Sequence, residues 1–193
     1  MKTIPRIAVF ASGSGSNAQR IAEYFSGTGI LEIACIYCNN PNAYVLERAK
    51  LLGIPSVLFN RDTFYQSDAV LADLKAREVD WIILAGFLWL IPTYILKAFP
   101  QRIINIHPAL LPAYGGKGMY GMKVHQAVIA AGDTESGITI HHVNEHYDEG
   151  DIIFQARCSI AVGDTPENLA AKIHELEYEH FPRVIHNLVA GVQ

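Results

Sequence analysis

No apolar run in this sequence reaches the roughly 18 residues that a membrane-spanning helix requires, and the first residues carry no signal-peptide pattern. Basic residues are not in excess: 15 Lys and Arg stand against 19 Asp and Glu, a formal net charge of −4. A chain without a basic excess is a poor partner for nucleic acid, so an anionic substrate must be held by local donors rather than by the overall field. Cysteine is scarce and odd in number, at 3, which fits a reducing compartment and not a disulfide framework. Cys35 and Cys38 spell C-x-x-C, but within a strand two residues three apart face opposite ways, so they read as buried strand cysteines and not as a redox pair. Internal repeats, linkers and low-complexity segments are also missing. What remains is a cytoplasmic globular protein with small-molecule partners, no membrane contact, and a monomeric or homodimeric state.

The 193 residues are 50% hydrophobic and 18% charged, which suits a single domain over 1–193 with an N-terminal half to about 100 and a C-terminal half from about 101. Strand-like runs alternate with helical segments in the first half. Arg6 to Phe10 reads as a buried strand, followed by the glycine loop Ala11-Ser12-Gly13-Ser14-Gly15-Ser16 and a helix from near Asn17. Ile33 to Cys38, Ser56 to Phe59 and Trp81 to Ala85 are further strands. Helices are expected over Ala43 to Leu52, Thr63 to Arg77 and Tyr94 to Phe99. This alternation predicts a doubly wound, mostly parallel α/β sheet with helices on both faces. Beyond it, Val124 to Ala131 reads as a helix, and Gly137 to Val143 and Ile152 to Cys158 as an antiparallel strand pair. Asp164-Thr165-Pro166-Glu167 opens a long helix running to about Ala190.

Ile103 to Ile106 is short and apolar enough for a buried strand, yet it contains an amide and stops at His107-Pro108, where proline cannot donate to a ladder. Asn105 and His107 are two apart and face one side, at the carboxyl end of a strand, where open α/β sheets bind ligands. Gly13 to Asn17, between a strand and a helix start, suits an anion through backbone N–H groups and the helix dipole. The loop also satisfies the dinucleotide pattern G-x-G-x-x-G/A. The second strand, however, ends in Asn39-Asn40-Pro41 without the acid that a nicotinamide cofactor's ribose needs, so a terminal phosphate fits better. A tight turn with no ligand is the bland reading of the same residues.

Other chemistries are less well marked. His141, His142 and His146 with Asp148 or Glu149 have zinc-like spacing, but adjacent strand histidines face opposite ways, so no metal is expected. Gly13-Ser14-Gly15-Ser16 does not supply the elbow of a serine hydrolase. Lys117, in the glycine-rich, lid-like stretch Tyr114 to Gly121, is followed by neither Ser nor Thr, so this is not a Walker loop. Gly86 to Pro92 is an apolar segment that either lines a pocket for a flat ring or packs in the core. Asn105 as an oxyanion donor, His107 as a proton carrier and one loop carboxylate fit direct acyl transfer through a tetrahedral intermediate.

Asn105-Ile106-His107-Pro108-Ala109-Leu110-Leu111-Pro112 closely resembles the N-x-H-P-[SA]-L-L-P signature of the folate-dependent formyltransferases. Asp148-Glu149-Gly150-Asp151-Ile152 resembles that family's D-x-G-x-[IV] segment, and Ser12 to Asn17 the S-G-x-G-S-N phosphate loop of one branch. The resemblance spans Arg6 to Ala190 and implies formyl transfer from 10-formyltetrahydrofolate, a co-substrate, to the amine of glycinamide ribonucleotide in purine synthesis. It implies Asn105, His107 and Asp148 as catalytic, and Gly13, Ser14, Gly15, Ser16, Asn17 and Glu177 as substrate-binding. Arg61, Leu88, Trp89, Leu90, Ile91, His141, His146 and Tyr147 are implied on the folate side, with the ring held by main chain at Leu88 to Leu90. The chain departs from the pattern at Trp89, where many relatives have Arg, and at Gly115 to Gly121, where many have a shorter Pro-Gly loop. Other formyltransferases modify tRNA or sugar nucleotides or hydrolyse the folate. Alternatives are transfer to another phosphorylated amine, or a phosphate- or nucleotide-binding module without catalysis.

Overall fold

The computed structural model describes residues 4–191. Its strands are β1 (Arg6–Ala11), β2 (Glu32–Cys38), β3 (Ser56–Leu58), β4 (Trp81–Leu84), β5 (Ile103–His107), β6 (Glu135–His142) and β7 (Ile152–Ser159). They form one sheet in the order β3-β2-β1-β4-β5-β6-β7. Pairs from β3 to β5 are parallel, and β6 and β7 are antiparallel. The fold is thus the expected mostly parallel α/β sheet with an antiparallel C-terminal pair.

Strand alternation sorts the core into two layers. Ile7, Val9 and Ala11 of β1 and Ile104 and Ile106 of β5 face α1 (Ser16–Phe25), α2 (Val45–Leu51), α6 (Met122–Ala131) and α7 (Pro166–Ala190). Ala8, Phe10 and Ile103 face the opposite layer, under α3 (Arg61–Tyr65), α4 (Ala69–Ala76) and α5 (Thr93–Ala98). The central strands carry apolar residues on both faces because both are covered. Phe10, fully buried, stacks on Tyr37 with ring centroids 4.7 Å apart. Burying a side chain of this size contributes roughly 1.5–3 kcal/mol.

Strand order reverses between β1 and β4, and such a switch opens a crevice at the carboxyl ends of the strands. The loops after β1 and β4 are tied across it: Ser12 N–H donates to the Gly86 carbonyl at 3.0 Å, and Leu88 N–H to Ser12 Oγ at 3.1 Å.

Several boundaries differ from the sequence reading. The single helix expected over Thr63 to Arg77 is two, α3 and α4. Asn60 caps α3 through a reciprocal box with Thr63, which starts it two residues early. Ser67 Oγ then donates to the Thr63 carbonyl at 3.0 Å and accepts from Ala69 N–H at 3.3 Å, offering the backbone an alternative to continued helix. β5 includes His107, and α6 starts at Met122. α7 opens as expected, with Thr165 and Asn168 forming the cap and Pro166 in the first turn.

Candidate active site

A cleft of about 480 Å³ lies over the carboxyl ends of β1, β4 and β5. One wall is the glycine loop, whose backbone lines the cleft from Gly13 to Asn17. Gly15 sits at φ 74° immediately before α1, and no side chain caps that helix. Its first N–H groups are therefore left for a ligand, at the end where the dipole favours an anion. The loop is fixed from behind by α2. Val45 N–H donates to the Gly13 carbonyl at 3.1 Å, and Arg48 Nε to the Ser14 carbonyl at 2.8 Å.

At the end of this wall Asn17 donates from Nδ2 to Glu177 Oε2 at 3.0 Å, joining α1 to α7. Burial pushes the Glu177 carboxyl up to about 7, against the downward pull of the Asn17 hydrogen bond. A carboxyl raised from 4.5 to about 7 favours the fold fully below about pH 4.5, and that contribution is lost as pH rises through about 7. Glu177→Gln keeps the acceptor for Asn17 and carries no charge. It is expected to be more stable than the parent at high pH by about 3 kcal/mol, and to lose this part of the pH slope. Thermal unfolding of both proteins across that range is the measurement; parallel curves would show that ionising Glu177 costs the fold nothing.

The opposite wall is β5 and the loop after β6. Asn105 pairs with His141 across β5 and β6, and His107 with Thr139. Thr139 Oγ1 donates to the Ala109 carbonyl at 2.7 Å and accepts from Leu111 N–H at 3.0 Å, which pins the segment following His107. His107 is 3% exposed, and its Nε2–H donates to the Tyr114 carbonyl at 2.8 Å. That assignment leaves Nδ1 facing Asp148 Oδ2 at 3.5 Å as the nitrogen free to take a proton. Burial lowers the His107 pKa, and the Asp148 charge opposes it without prevailing. Burial pushes Asp148 up, but the His141 and His107 rings and the Gly116 N–H, at 2.9 Å, outweigh it and hold the carboxyl below its usual range. At neutral pH the pair is carboxylate and neutral imidazole. Asn105 Nδ2 lies 3.1 Å from His141 Nε2 and 3.4 Å from Asp148 Oδ1. His141 in turn donates from Nδ1 to the His142 carbonyl at 2.8 Å.

The structure brings Asn105, His107 and Asp148 into one cluster, facing Gly13 to Asn17 and Glu177 across the cleft. The residues assigned to a folate are divided. Leu88 and Tyr147 line the cleft. His141 is buried behind Asn105 and Asp148, in a place to orient them and not to touch a ligand. Trp89 belongs to an aromatic cluster with Phe59, Phe64 and Tyr65, and the Arg61 guanidinium lies over its ring at 4.9 Å. Ile91 is buried, and His146 is exposed on the surface. The Leu90 carbonyl accepts from Tyr65 Oη at 2.9 Å. Arg61, Trp89, Leu90, Ile91, His141 and His146 are thus outside the lining. The segment leaving β4 is therefore split: Gly86, Phe87 and Leu88 line the cleft, Trp89 and Leu90 are half-buried beside it, and Ile91 is core.

Two lining residues, His174 and His125, escaped the sequence reading. His174 stands three residues before Glu177 on α7, hence on the same helix face, a spacing that could have marked it. His125 of α6 had no local signal. It is 3% exposed, its Nδ1 has no partner, and burial, with the charges of His174 and His107, pushes it down to about 4. Met119 and Tyr120 come from the glycine-rich loop. Among the described residues no three His, Cys, Asp or Glu side chains gather as a metal site, and no helix is long and apolar enough to cross a membrane.

A mostly parallel sheet with a crossover crevice, an uncapped helix start and an Asn-His-Asp cluster thus meet at one cleft. The chain belongs to the formyl transferase family, whose sequence profile matches residues 5–185. It is 42% identical to the chloroplastic phosphoribosylglycinamide formyltransferase of Arabidopsis thaliana over 93% of this chain and 64% of that protein. The chain therefore spans less than two thirds of that plant relative. The phosphoribosylglycinamide formyltransferase of Bacillus subtilis is 39% identical over 95% of this chain and 94% of its own. The crystal structure of glycinamide ribonucleotide transformylase 1 from Geobacillus kaustophilus superposes with a TM-score of 0.86 at 37% identity, covering 96% of this chain and 99% of the other.

Proposed function

We propose that this protein transfers the formyl group of 10-formyltetrahydrofolate to the amine of glycinamide ribonucleotide, a step of purine synthesis. The observation that carries the reading is the cleft itself: Asn105, His107 and Asp148 on one wall and an uncapped helix start with Glu177 on the other. The relatives' names agree with it. The ribonucleotide phosphate occupies the Gly13 to Asn17 loop, and the Glu177 carboxyl receives a ribose hydroxyl. The folate ring enters between Leu88 and Tyr147.

The amine attacks the formyl carbon, a C–N bond forms, and negative charge moves onto the formyl oxygen. His107 is neutral at rest because burial depresses it, so its Nδ1 accepts the proton released by the attacking amine. The resulting imidazolium is stabilised by Asp148, 3.5 Å away, and donates to the oxyanion or to the leaving folate nitrogen as the tetrahedral intermediate collapses. Asn105 supplies a second donor by turning the hydrogen of its longer, 3.4 Å contact with Asp148 toward the oxygen. No covalent enzyme adduct is needed, and no side chain in the cluster is a strong nucleophile.

The test is purified protein with 10-formyltetrahydrofolate and glycinamide ribonucleotide, following the folate chromophore and formylated product. Saturable turnover with this acceptor is the expected result. Turnover with a different phosphorylated amine alone would move the assignment to that acceptor. Phosphate-ester binding without turnover would leave only a binding module.

A further inference from the structure

The cleft has an unbalanced charge. Asp148 lines it as a carboxylate, Glu177 is partly ionised at neutral pH because burial raises it to about 7, and the histidines that share the lining, His107, His125 and His174, are all depressed by burial. A phosphate monoester would add about −1.5 to −2 more. Against this stand the loop N–H groups and a helix end equivalent to about +0.5 charge. Arg48 contributes from behind, but it is committed to the Ser14 carbonyl and to Gln19 and does not reach the lining. Lys117 is the only lysine or arginine among the residues that form the cleft wall. Among the described residues it has no ion-pair partner.

Its position is built and not incidental. The preceding residue, Gly116, donates its N–H to Asp148 at 2.9 Å, and Met119 N–H closes a turn on the Gly116 carbonyl at 3.1 Å. Gly116 and Gly118 flank Lys117 at φ 94° and 92°, values that side-chain-bearing residues rarely adopt. The loop therefore holds one cation over a cleft walled by carboxyl groups, with one end fastened to Asp148.

We propose that Lys117 supplies the countercharge for the phosphate of the acceptor substrate, making the Gly115 to Gly121 loop part of the ribonucleotide site. The inference rests on the function proposed above and adds a specificity residue to it. A charge-assisted contact of this kind alters affinity by about 10- to 100-fold.

The experiment compares the parent with Lys117→Met and Lys117→Arg, using KM for each substrate and kcat. Calorimetric titration with ribose 5-phosphate adds a readout independent of turnover. Lys117→Met is expected to raise the ribonucleotide KM and the ribose 5-phosphate Kd by about 10- to 100-fold, with kcat and the folate KM little changed. Lys117→Arg should recover most of the affinity, and added salt should weaken the parent more than Lys117→Met. Unchanged phosphate affinity in Lys117→Met, or a loss confined to the folate KM, would overturn the proposal while leaving formyl transfer intact. If the parent turns over neither substrate yet binds ribose 5-phosphate through Lys117, the transferase reading fails and the lysine's role stands.

Discussion

His107→Ala is expected to lower kcat by about 10²–10³-fold while leaving both KM values nearly unchanged. The reason is geometric. Nε2–H is occupied by the Tyr114 carbonyl at 2.8 Å, so in the proposed mechanism proton transfer runs through Nδ1, which faces Asp148. Asp148→Asn should be at least as damaging. It keeps the size of the side chain but removes the charge that makes an imidazolium tolerable in a site where burial disfavours one. The two losses should be far from additive, because the proton acceptor and its countercharge act as one unit. Asp148 also opposes the burial that depresses His107. The kcat/KM profile of Asp148→Asn should therefore show its His107 limb displaced to lower pH. A double-mutant cycle with kcat and KM measured separately is decisive: additive losses, or losses confined to KM, would remove the pair from the chemical step.

Gly15→Val is expected to raise the ribonucleotide KM by more than 10²-fold, with folate binding almost intact. A Cβ built on Gly15 meets Val45 Cγ2 at 2.3 Å and the Val45 Cα at 2.9 Å, and φ is 74°. The loop cannot keep its shape with a side chain there, because the obstacle includes α2 backbone. Overpacking and the left-handed conformation together should cost the fold about 2–4 kcal/mol. Gly13→Ala is the companion measurement. A Cβ at Gly13 has nothing within 4 Å and no positive φ, so its stability should match the parent's. Weakened ribonucleotide binding in that well-folded variant would locate the ligand at the loop. If instead the folate KM rises in either variant, the two substrates occupy the opposite ends of the cleft.

Much of this arrangement was legible from local pattern. Alternating apolar runs and capping residues marked five parallel strands and the long last helix, because period and cap chemistry are properties of a few neighbouring residues. The pair Asn105 and His107 stood out because a polar side chain inside a buried strand needs a partner, and Pro108 ends the ladder. The split of Thr63 to Arg77 into two helices was less visible: Ser67 competes with the backbone only through hydrogen bonds no wider than four residues, yet nothing in the apolar spacing announces it. The same apolar spacing left Gly86 to Pro92 open between pocket and core. Packing divides it: Phe87 and Trp89 join the aromatic layer around Phe59 and Phe64, while Gly86, Phe87 and Leu88 also form part of the cleft wall.

Strand and helix order, the mostly parallel sheet and the end of the sheet where a ligand would bind follow from the chain's own periodicity, since they depend on which residues must leave water. Which side chains meet there does not. Asn17 and Glu177 are 160 residues apart and form a hydrogen bond only because α1 and α7 pack on the same face of the sheet. His141 became a neighbour of Asn105 through the register of β5 and β6, and the same register buries it behind the cleft wall. Lys117 acquired its setting from carboxyl groups on two distant elements. Charge balance, tautomer and pKa are sums over everything within a few ångströms, and that neighbourhood exists only once the chain has folded.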